Sequence, residues 1–455
     1  MSNRILSEAV KQSLALATGL VLSATVSATT LEQALAQAWA NNPTLEAERD
    51  TLAAASNRVD EAQGGYYPQV KLFGGVGTSH LDVGFMQLPG FPFPANTIGV
   101  PLNTRQVGVE VDQALYAGGR ISAGVDAAEK LRAAEDAKLH AVEGGVLLQA
   151  AQAYMDVLQA RAVLTLEQSN ERVLQEALEQ AQASFDNGET THTDVDQAKA
   201  RLAGAQAARI QADGALTAAT AAYERVVGAA PDALEQPQPL GGLPATQQDA
   251  LALAERNYNV QAAQYTAAAA ASNVDVAESA LKPSLELSGQ VTRATEPQFL
   301  FEKLDTRSIM LNLSMPLYTG GTASSELHAA QHQADSSTQQ ALDARRQARD
   351  QVVSAWQAYQ TAVAGLAAIE VQITAAQSAY DGVQAEHKVG DRTTLDVLNA
   401  EQELLNAKVN EVRAQRDETV AEYSLKAATG ALTAQDLKLP VQSLQKSAAD
   451  APAGG

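Results

Sequence analysis

The chain has 455 residues, of which 45% are hydrophobic but only 4% aromatic, and it contains no cysteine. Its formal net charge of −21 argues against a nucleic-acid-binding protein, because neutralising phosphates requires clustered lysine and arginine. The lack of cysteine excludes disulfides, thiolate catalysis and cysteine-based metal sites. Alanine dominates instead of aromatic residues, which favours long helices packed closely side by side.

Residues 1–28 have the composition of a secretory signal peptide. Arg4 and Lys11 give a weakly basic start, and the apolar run at 13–24 is too short to span a bilayer as a helix. Small residues follow at 26–28, where cleavage is expected. We therefore expect an exported protein whose fold begins at residue 29.

The chain repeats itself with a fixed offset of 202 residues. The motif Leu-Tyr-x-Gly-Gly occurs at 115–119 and again at 317–321, and Gly188 recurs as Gly390. Repetition at one offset over about 110 residues predicts two copies of a single structural unit. The predicted divisions are a first unit at 29–240, a second unit at 241–440 and a disordered tail at 441–455.

Each unit is predicted to contain a helix, two strands and a long helical hairpin. Apolar and polar residues alternate along the strands, for example at Val107, Val109 and Val111, as expected for a sheet with one apolar face. The Gly/Pro-rich stretch at 84–102 is predicted to be a long surface loop. The strands are predicted at about 66–78, 104–115, 282–293 and 307–317.

Very long helices follow the strands. Residues 119–188 and 321–390 each extend from glycine to glycine without a proline. At 1.5 Å per residue, each is a rod of roughly 100 Å. A globular domain has no place for two such rods, whereas a tunnel through the periplasm does. The hairpin tips are predicted at 186–194 and 388–396.

Four strands cannot close a barrel, for which about eight strands is the practical minimum. Only helices and closed barrels satisfy the backbone inside lipid, so membrane strands here require several chains to share one barrel. Three copies would give twelve strands, with a lumen lined by residues such as Glu110, Asp112 and Glu286. On this reasoning alone, two copies, four copies and a soluble four-stranded sheet stay open.

The order, spacing and duplication of these motifs resemble the TolC family of outer-membrane efflux proteins, and the resemblance covers residues 30–440. It implies a mainly α fold with a membrane β-barrel. A homotrimer would form a twelve-stranded β-barrel in the outer membrane and a twelve-helix α-barrel extending into the periplasm. The implied partners are outer-membrane lipid, a periplasmic adaptor (membrane fusion) protein and an inner-membrane pump of the RND or ABC type. Such a channel-tunnel is a passive exit duct for drugs, toxins or polypeptides, in efflux or type I secretion.

The predicted tips contain residues typical of helix ends. Thr191 with Asp194, and Thr393 with Asp396, have nearly the spacing and chemistry of a capping box, with aspartate in place of glutamate. A glycine precedes each pair, as is usual just past the end of a helix. Capping is therefore one interpretation of these residues.

The family resemblance implies a second interpretation, in which the tips form a periplasmic gate. Carried over by position, Thr193 and Asp194 would receive Arg392 from the other hairpin. An arginine–carboxylate pair suits such a gate, since it is directional and breakable. His387 stands where the family usually has tyrosine. A histidine there could respond to pH, but a neutral hydrogen-bonding role is favoured.

The resemblance also implies a ring of carboxylates at the narrowest point. Asp396 and Asn399 share one helical face, where the family often has two aspartates. With asparagine at the second position, we expect weaker block by cations than in relatives with two rings. The tip residues expected to dock the adaptor are Gly188, Glu189, Val389, Gly390 and Asp391.

No enzyme activity, cofactor or metal site is predicted. His328 and His332 are four residues apart on a helix, but no third ligand is apparent. The competing interpretation is a periplasmic coiled-coil scaffold or adaptor without a pore, which would normally have a single hairpin. The duplicated hairpins and the four two-faced strands favour the channel.

Overall fold

The computed structural model describes residues 29–84, 97–298 and 301–440; the predicted signal peptide and tail lie outside the described residues. The helices are α1 (Leu31–Asn41), α2 (Pro43–Gln63), α3 (Arg120–Asp186), α4 (His192–Val227), α5 (Gln247–Leu253), α6 (Tyr258–Ser279), α7 (Thr322–Lys388) and α8 (Thr394–Ala428). The strands are β1 (Gln69–Gly84), β2 (Thr97–Tyr116), β3 (Ser284–Gln298) and β4 (Phe301–Ser314).

The long helices preserve the 202-residue offset. Helices α3 and α7 have 67 residues each, and each begins after a glycine in the left-handed conformation, with φ of 92° at Gly119 and 86° at Gly321. Each helix forms a hairpin with the helix that follows it, α4 or α8. Among the described residues, no helix is both long enough and apolar enough to cross a membrane.

The four strands form one antiparallel sheet in the order β1-β2-β3-β4. The two units meet at the pairing of β2 with β3, which extends as far as Arg105 opposite Thr295. This pairing leaves β1 and β4 at the two edges. The predicted fold class, mainly helical with four strands in each chain, is confirmed.

The strands differ in length from the prediction. The loop predicted at 84–102 is partly wrong, because 97–102 belongs to β2, with Pro101 opposite His80. Proline is tolerated there because β2 pairs with β3 only from Arg105 onward, so this part of β2 has a free edge. Strand β4 ends at Ser314, before the predicted limit at 317.

The main core lies where α1, α3 and α4 pack together with the segment after α8. Leu35, Leu147 and Tyr223 are fully buried in it. The hydroxyl of buried Tyr154 lies 2.8 Å from the carbonyl oxygen of Thr29 and 2.6 Å from that of Glu235. Both ends of the first unit are thereby fixed to the middle of α3.

Two buried carboxylates fix connecting segments to this core. Glu143 accepts hydrogen bonds from Trp39 Nε1 at 2.9 Å and from the backbone N–H of Ala434 at 2.7 Å. Glu422 accepts one from the backbone N–H of Leu240 at 3.0 Å, and burial raises the pKa of Glu422. Buried carboxylates are tolerated when such donors satisfy them.

Candidate functional site

The two hairpin tips have the same backbone turn. Helix α3 is followed by Gly188 with φ of 75°, and α7 is followed by Gly390 with φ of 85°. In each tip the next N–H donates back across the helix end, from Glu189 to the Ser184 carbonyl at 2.8 Å and from Asp391 to the Glu386 carbonyl at 3.0 Å. Glycine adopts this left-handed conformation without the strain that a Cβ atom would cause.

Each tip also contains a complete capping box. The backbone N–H of Thr191 donates to Asp194 Oδ2 at 3.0 Å, and the Asp194 N–H donates to Thr191 Oγ1 at 3.3 Å. In the second tip the corresponding distances between Thr393 and Asp396 are 3.0 Å and 3.2 Å. The helix ends are thus satisfied within each hairpin.

Hydrogen bonds to the capping carboxylates stabilise their charged form. Bonds from Thr190 and then Thr191 lower the pKa of Asp194, and bonds from the backbone and side chain of Thr393 lower the pKa of Asp396. All the bonds to Asp194 reach Oδ2, and within the described part of the chain Oδ1 has no hydrogen-bond donor. Asp194 therefore keeps one oxygen free to accept a further donor.

The second tip holds the cation of the predicted gate. Arg392 Nε donates to Glu386 Oε2 at 2.8 Å, and both side chains are half exposed. This hydrogen bond raises the pKa of Arg392. His387 Nδ1 lies 2.8 Å from the Arg392 carbonyl oxygen, across the same turn. Arginine, glutamate and histidine thus form one local cluster.

The first tip carries different side chains on the same backbone. Phe185 packs edge-on against His192, with ring centroids 5.6 Å apart, and His192 Nδ1 lies 2.9 Å from Asp196 Oδ2. Thr193 lies exposed in the first turn of α4. Within a single described chain, Arg392 pairs with Glu386 and does not reach Thr193 or Asp194.

The two hairpins of one chain are joined a short distance from the tips. Arg201 Nη2 on α4 donates to Asn399 Oδ1 on α8 at 2.6 Å. Leu174, Leu202 and Leu398 form a small apolar cluster beside this bond. The sequence predicts Asn399 only as an uncharged residue where the family often has aspartate. In the structure its side chain also holds Arg201 near Asp396.

Sequence reasoning missed both Glu386 and Arg201. A charge search around each turn would have found Glu386, because it lies six residues before Arg392 with the left-handed glycine between them. Arg201 follows Asp194 by seven residues, which places both on one face of α4. Neither residue has a like-charged counterpart in the other unit, so the repeat could not reveal them.

The sheet separates apolar from polar side chains. Strand register places Val70, Leu72, Val109 and Val291 on one face, and all four are exposed. We call this the apolar face; it continues on β3 and β4 with Leu287, Ile309, Leu311 and Leu313. The opposite, polar face carries the acidic residues Glu110, Asp112 and Glu286.

Tyrosines lie exposed where the sheet joins the helices. They lie at or near the strand ends that adjoin the helices, and each is at least half exposed: Tyr66, Tyr67, Tyr116 and Tyr318. Tyrosine is enriched where membrane proteins meet the membrane–water interface. An apolar face bounded by tyrosines is the surface expected of a membrane-embedded sheet.

Comparisons with known proteins agree with this architecture. Residues 34–229 and 251–431 match the family described as outer membrane efflux protein. The outer membrane efflux protein BepC of Brucella suis is 34% identical over 90% of this chain and 88% of its own length. Outer membrane protein TolC of Vibrio cholerae is 28% identical over 91% and 94%.

A solved structure shares the fold despite low identity. The CmeC outer membrane channel of Campylobacter jejuni superposes with a TM-score of 0.77 at 15% identity. The superposition covers 92% of this chain and 89% of that chain.

Proposed function

This chain belongs to the outer membrane efflux protein family, as its sequence predicted, and from this premise we propose that three copies form one channel. Each copy contributes four strands to a twelve-stranded barrel in the outer membrane and its long hairpins to a tunnel extending into the periplasm. The observation that carries the proposal is the open sheet, whose described edge strands β1 and β4 each pair on one side only. In lipid such edges must be paired, and further copies of the same sheet can pair them.

The two faces of the sheet support this arrangement. The apolar face would contact lipid, and the polar face would line the lumen with Glu110, Asp112 and Glu286. Twelve strands leave an open lumen, whereas eight would be filled by side chains. An acidic lumen favours cations over anions.

The gate that we propose at the tips uses both hairpins. Arg392 would exchange Glu386 for the free Oδ1 of Asp194 on a neighbouring hairpin, with Thr193 beside it. Both partners are exposed carboxylates, so the exchange replaces one charge-assisted hydrogen bond with another. A gate of this kind can open without a large energetic cost.

We further propose that a periplasmic adaptor opens this gate for an inner-membrane pump of the RND or ABC type. The residues proposed to dock the adaptor are the exposed tip residues Gly188, Glu189, Val389, Gly390 and Asp391. The channel would be a passive duct for efflux or for type I secretion, without a catalytic step. A scaffold without a pore is not favoured, because the family match covers both units.

Cysteine cross-linking between the edge strands tests the barrel. The chain has no cysteine, so Leu72→Cys on β1 can be combined with Ile309→Cys, Leu311→Cys or Leu313→Cys on β4. Neighbouring strands bring such pairs within disulfide distance. At least one combination should give covalent trimers after oxidation in outer membranes.

The control pair is Leu72→Cys with Val109→Cys, which face each other within one chain. It should give only an intramolecular bond. If no edge combination yields a product larger than a monomer while the control pair oxidises, the shared barrel is wrong.

A further inference from the structure

The apolar face ends in arginines at the end of the sheet that lies away from the helices. Arg105 on β2, Arg293 on β3 and Arg307 on β4 are exposed and lie on adjacent strands; we call them the arginine row. Register places Arg293 opposite Val107 and Arg307 opposite Val291, so the row borders the valines directly. A continuous apolar surface is thus bounded by positive charge on one side.

The charges of the sheet are segregated by face. The other charged side chains described on the apolar face are Lys303, Asp305 and the ion-paired His80 and Asp82. Those described on the polar face are the basic residue Lys71 and four acidic residues, Glu110, Asp112, Glu286 and Glu302. In a chain of net charge −21, a basic row on the lipid-facing side requires a specific explanation.

Two arginines of the row have no ion-pair partner among the residues that the structure describes. Arg293 makes a two-pronged contact with Asp305, with Nε–Oδ1 of 2.8 Å and Nη2–Oδ2 of 3.0 Å. Arg105 and Arg307 form no ion pair within the described part of the chain. Guanidinium groups near lipid are costly unless an anion pairs with them, and they match phosphate geometry well.

A depression adjoins the row. It has a volume of about 430 Å³ and lies between Arg105 and Arg293, above Gly74 and Val107. The floor is open because Gly74 has no side chain, whereas the residues before and after it on the same face of β1 are Leu72 and Val76. The depression offers an apolar floor beside two cationic groups, which suits a lipid with an anionic headgroup.

The level of Arg105, the member of the row farthest along the sheet from the helices, agrees with a membrane boundary. Arg105 precedes Tyr116 by about eleven residues along β2, or ~36 Å at 3.3 Å per residue. With a strand tilt of about 40°, this distance projects to roughly 28 Å along the membrane normal, close to the apolar height of outer-membrane barrels. Tyrosine marks the periplasmic boundary, and arginine marks the opposite one.

We propose that the arginine row binds the phosphate groups of an outer-leaflet lipid that carries at least two phosphates. Its acyl chain would lie on the apolar face and in the depression over Gly74. The inference rests on the proposed function, because the membrane-embedded barrel is what turns the apolar face toward lipid. Arg105 and Arg307 contact the phosphates, while Arg293, on the strand between them, is held by Asp305.

Native mass spectrometry of the purified complex tests this site with diphosphoryl lipid A as the probe. Wild type should retain the lipid, and the double variant Arg105→Gln/Arg307→Gln should bind it about 25-fold more weakly. Each basic side chain near an anionic lipid contributes a factor of about five. The variant Arg105→Lys/Arg307→Lys should retain most of the binding.

Two controls make the result specific. Lys71→Gln also removes positive charge, but from the polar face, and should leave lipid binding unchanged. Dephosphorylated lipid A should not be retained by wild type, and free inorganic phosphate should not displace the bound lipid. Equal binding of the phosphorylated and dephosphorylated lipids by wild type would overturn the proposal, even if the double variant failed to assemble.

Conductance of the same preparations separates the two proposals. If wild type conducts but binds both lipids equally, the lipid site is wrong and the channel stands. If wild type assembles no conducting channel, the proposed function itself fails.

Discussion

The two hairpin tips share a backbone but differ in chemistry. Both have a left-handed glycine, a back-donated hydrogen bond and a capping box. At equivalent positions, however, the first tip has Phe185 and Thr190 where the second has His387 and Arg392. The shared residues are those that the turn requires, and the differing residues are those that project from it.

This difference makes the tips complementary rather than redundant. The first tip presents a carboxylate with a free oxygen, Asp194, and the second presents the cation Arg392. Two copies of the first tip could not form an arginine–carboxylate pair at this level, because Thr190 stands where the second tip has Arg392. The duplication thus supplies the scaffold, and the divergence supplies the proposed gate.

The largest effect is expected from the glycines, whose shared role is the basis of the comparison. Gly188→Ala and Gly390→Ala place a Cβ atom in the left-handed region, where the strain is about 1–2 kcal/mol. Amide hydrogen exchange in the affected tip should accelerate by about tenfold. Both variants should respond alike, because the two turns have the same geometry.

Gly382→Ala is the matched control in α7. Gly382 lies in a helical conformation with open space at its Cβ position. Alanine there should slow exchange, since it favours a helix over glycine by about 0.5–1 kcal/mol. If Gly188→Ala left exchange unchanged while Gly390→Ala raised it, the shared turn would be in doubt.

The next largest effect is expected at Arg392, the cation by which the second tip differs from the first. Arg392→Ala should raise single-channel conductance roughly threefold, because a weak latch repeated in three subunits is lost. The matched control is Arg345→Ala, whose ion pair with Glu255 has a similar length of 2.9 Å and similar exposure but lies away from the tips. An unchanged conductance in Arg392→Ala would remove this residue from the gate.

A smaller effect is expected at Asn399, next to the acidic position. Asn399→Asp alone should increase block by Ca²⁺ only slightly, because Arg201 lies 2.6 Å away and would neutralise the new carboxylate. With Arg201→Gln added, half-block should occur at roughly half the wild-type Ca²⁺ concentration. If the single and double variants behave identically, Arg201 does not control the charge at this level.

The smallest effect is a dependence of the caps on pH. The pKa values of Asp194 and Asp396 are lowered in the folded tips, so their capping contribution is complete above the ordinary aspartate pKa. It is lost only as pH falls through the lowered values. Hydrogen-exchange protection, corrected for intrinsic rates, should stay constant from pH 7 to about 5 and fall below about 4.

Asparagine variants provide the control for this dependence. Asp194→Asn and Asp396→Asn should remove the loss of protection in their own tips and leave the other tip unchanged. A loss of protection that begins near pH 6 in wild type would contradict assignment to these aspartates.

Features that repeat or alternate along the chain could be predicted from the sequence. The helical hairpins follow from the 202-residue offset and the absence of proline, and the two-faced strands follow from alternation at Val107, Val109 and Val111. The turns follow from glycine, which alone adopts their conformation without strain. These features depend on local physics that every copy must satisfy.

Features that depend on packing between distant segments could not be predicted. The contact of Arg201 with Asn399 requires knowing how two hairpins about 200 residues apart lie together. The extension of β2 through Pro101 depends on where β3 stops pairing. The pairing of Arg392 with Glu386 is of another kind, because it is local to one turn and the charges there indicate it, whereas the resemblance implies Asp194 as the partner.

Conductance of the purified wild-type protein in planar lipid bilayers tests the central claim most directly. We predict uniform, small, cation-selective steps, because an acidic lumen opens into a tunnel narrowed at its tips. A preparation that inserts into the bilayer and gives no steps, or anion-selective steps, would contradict the account.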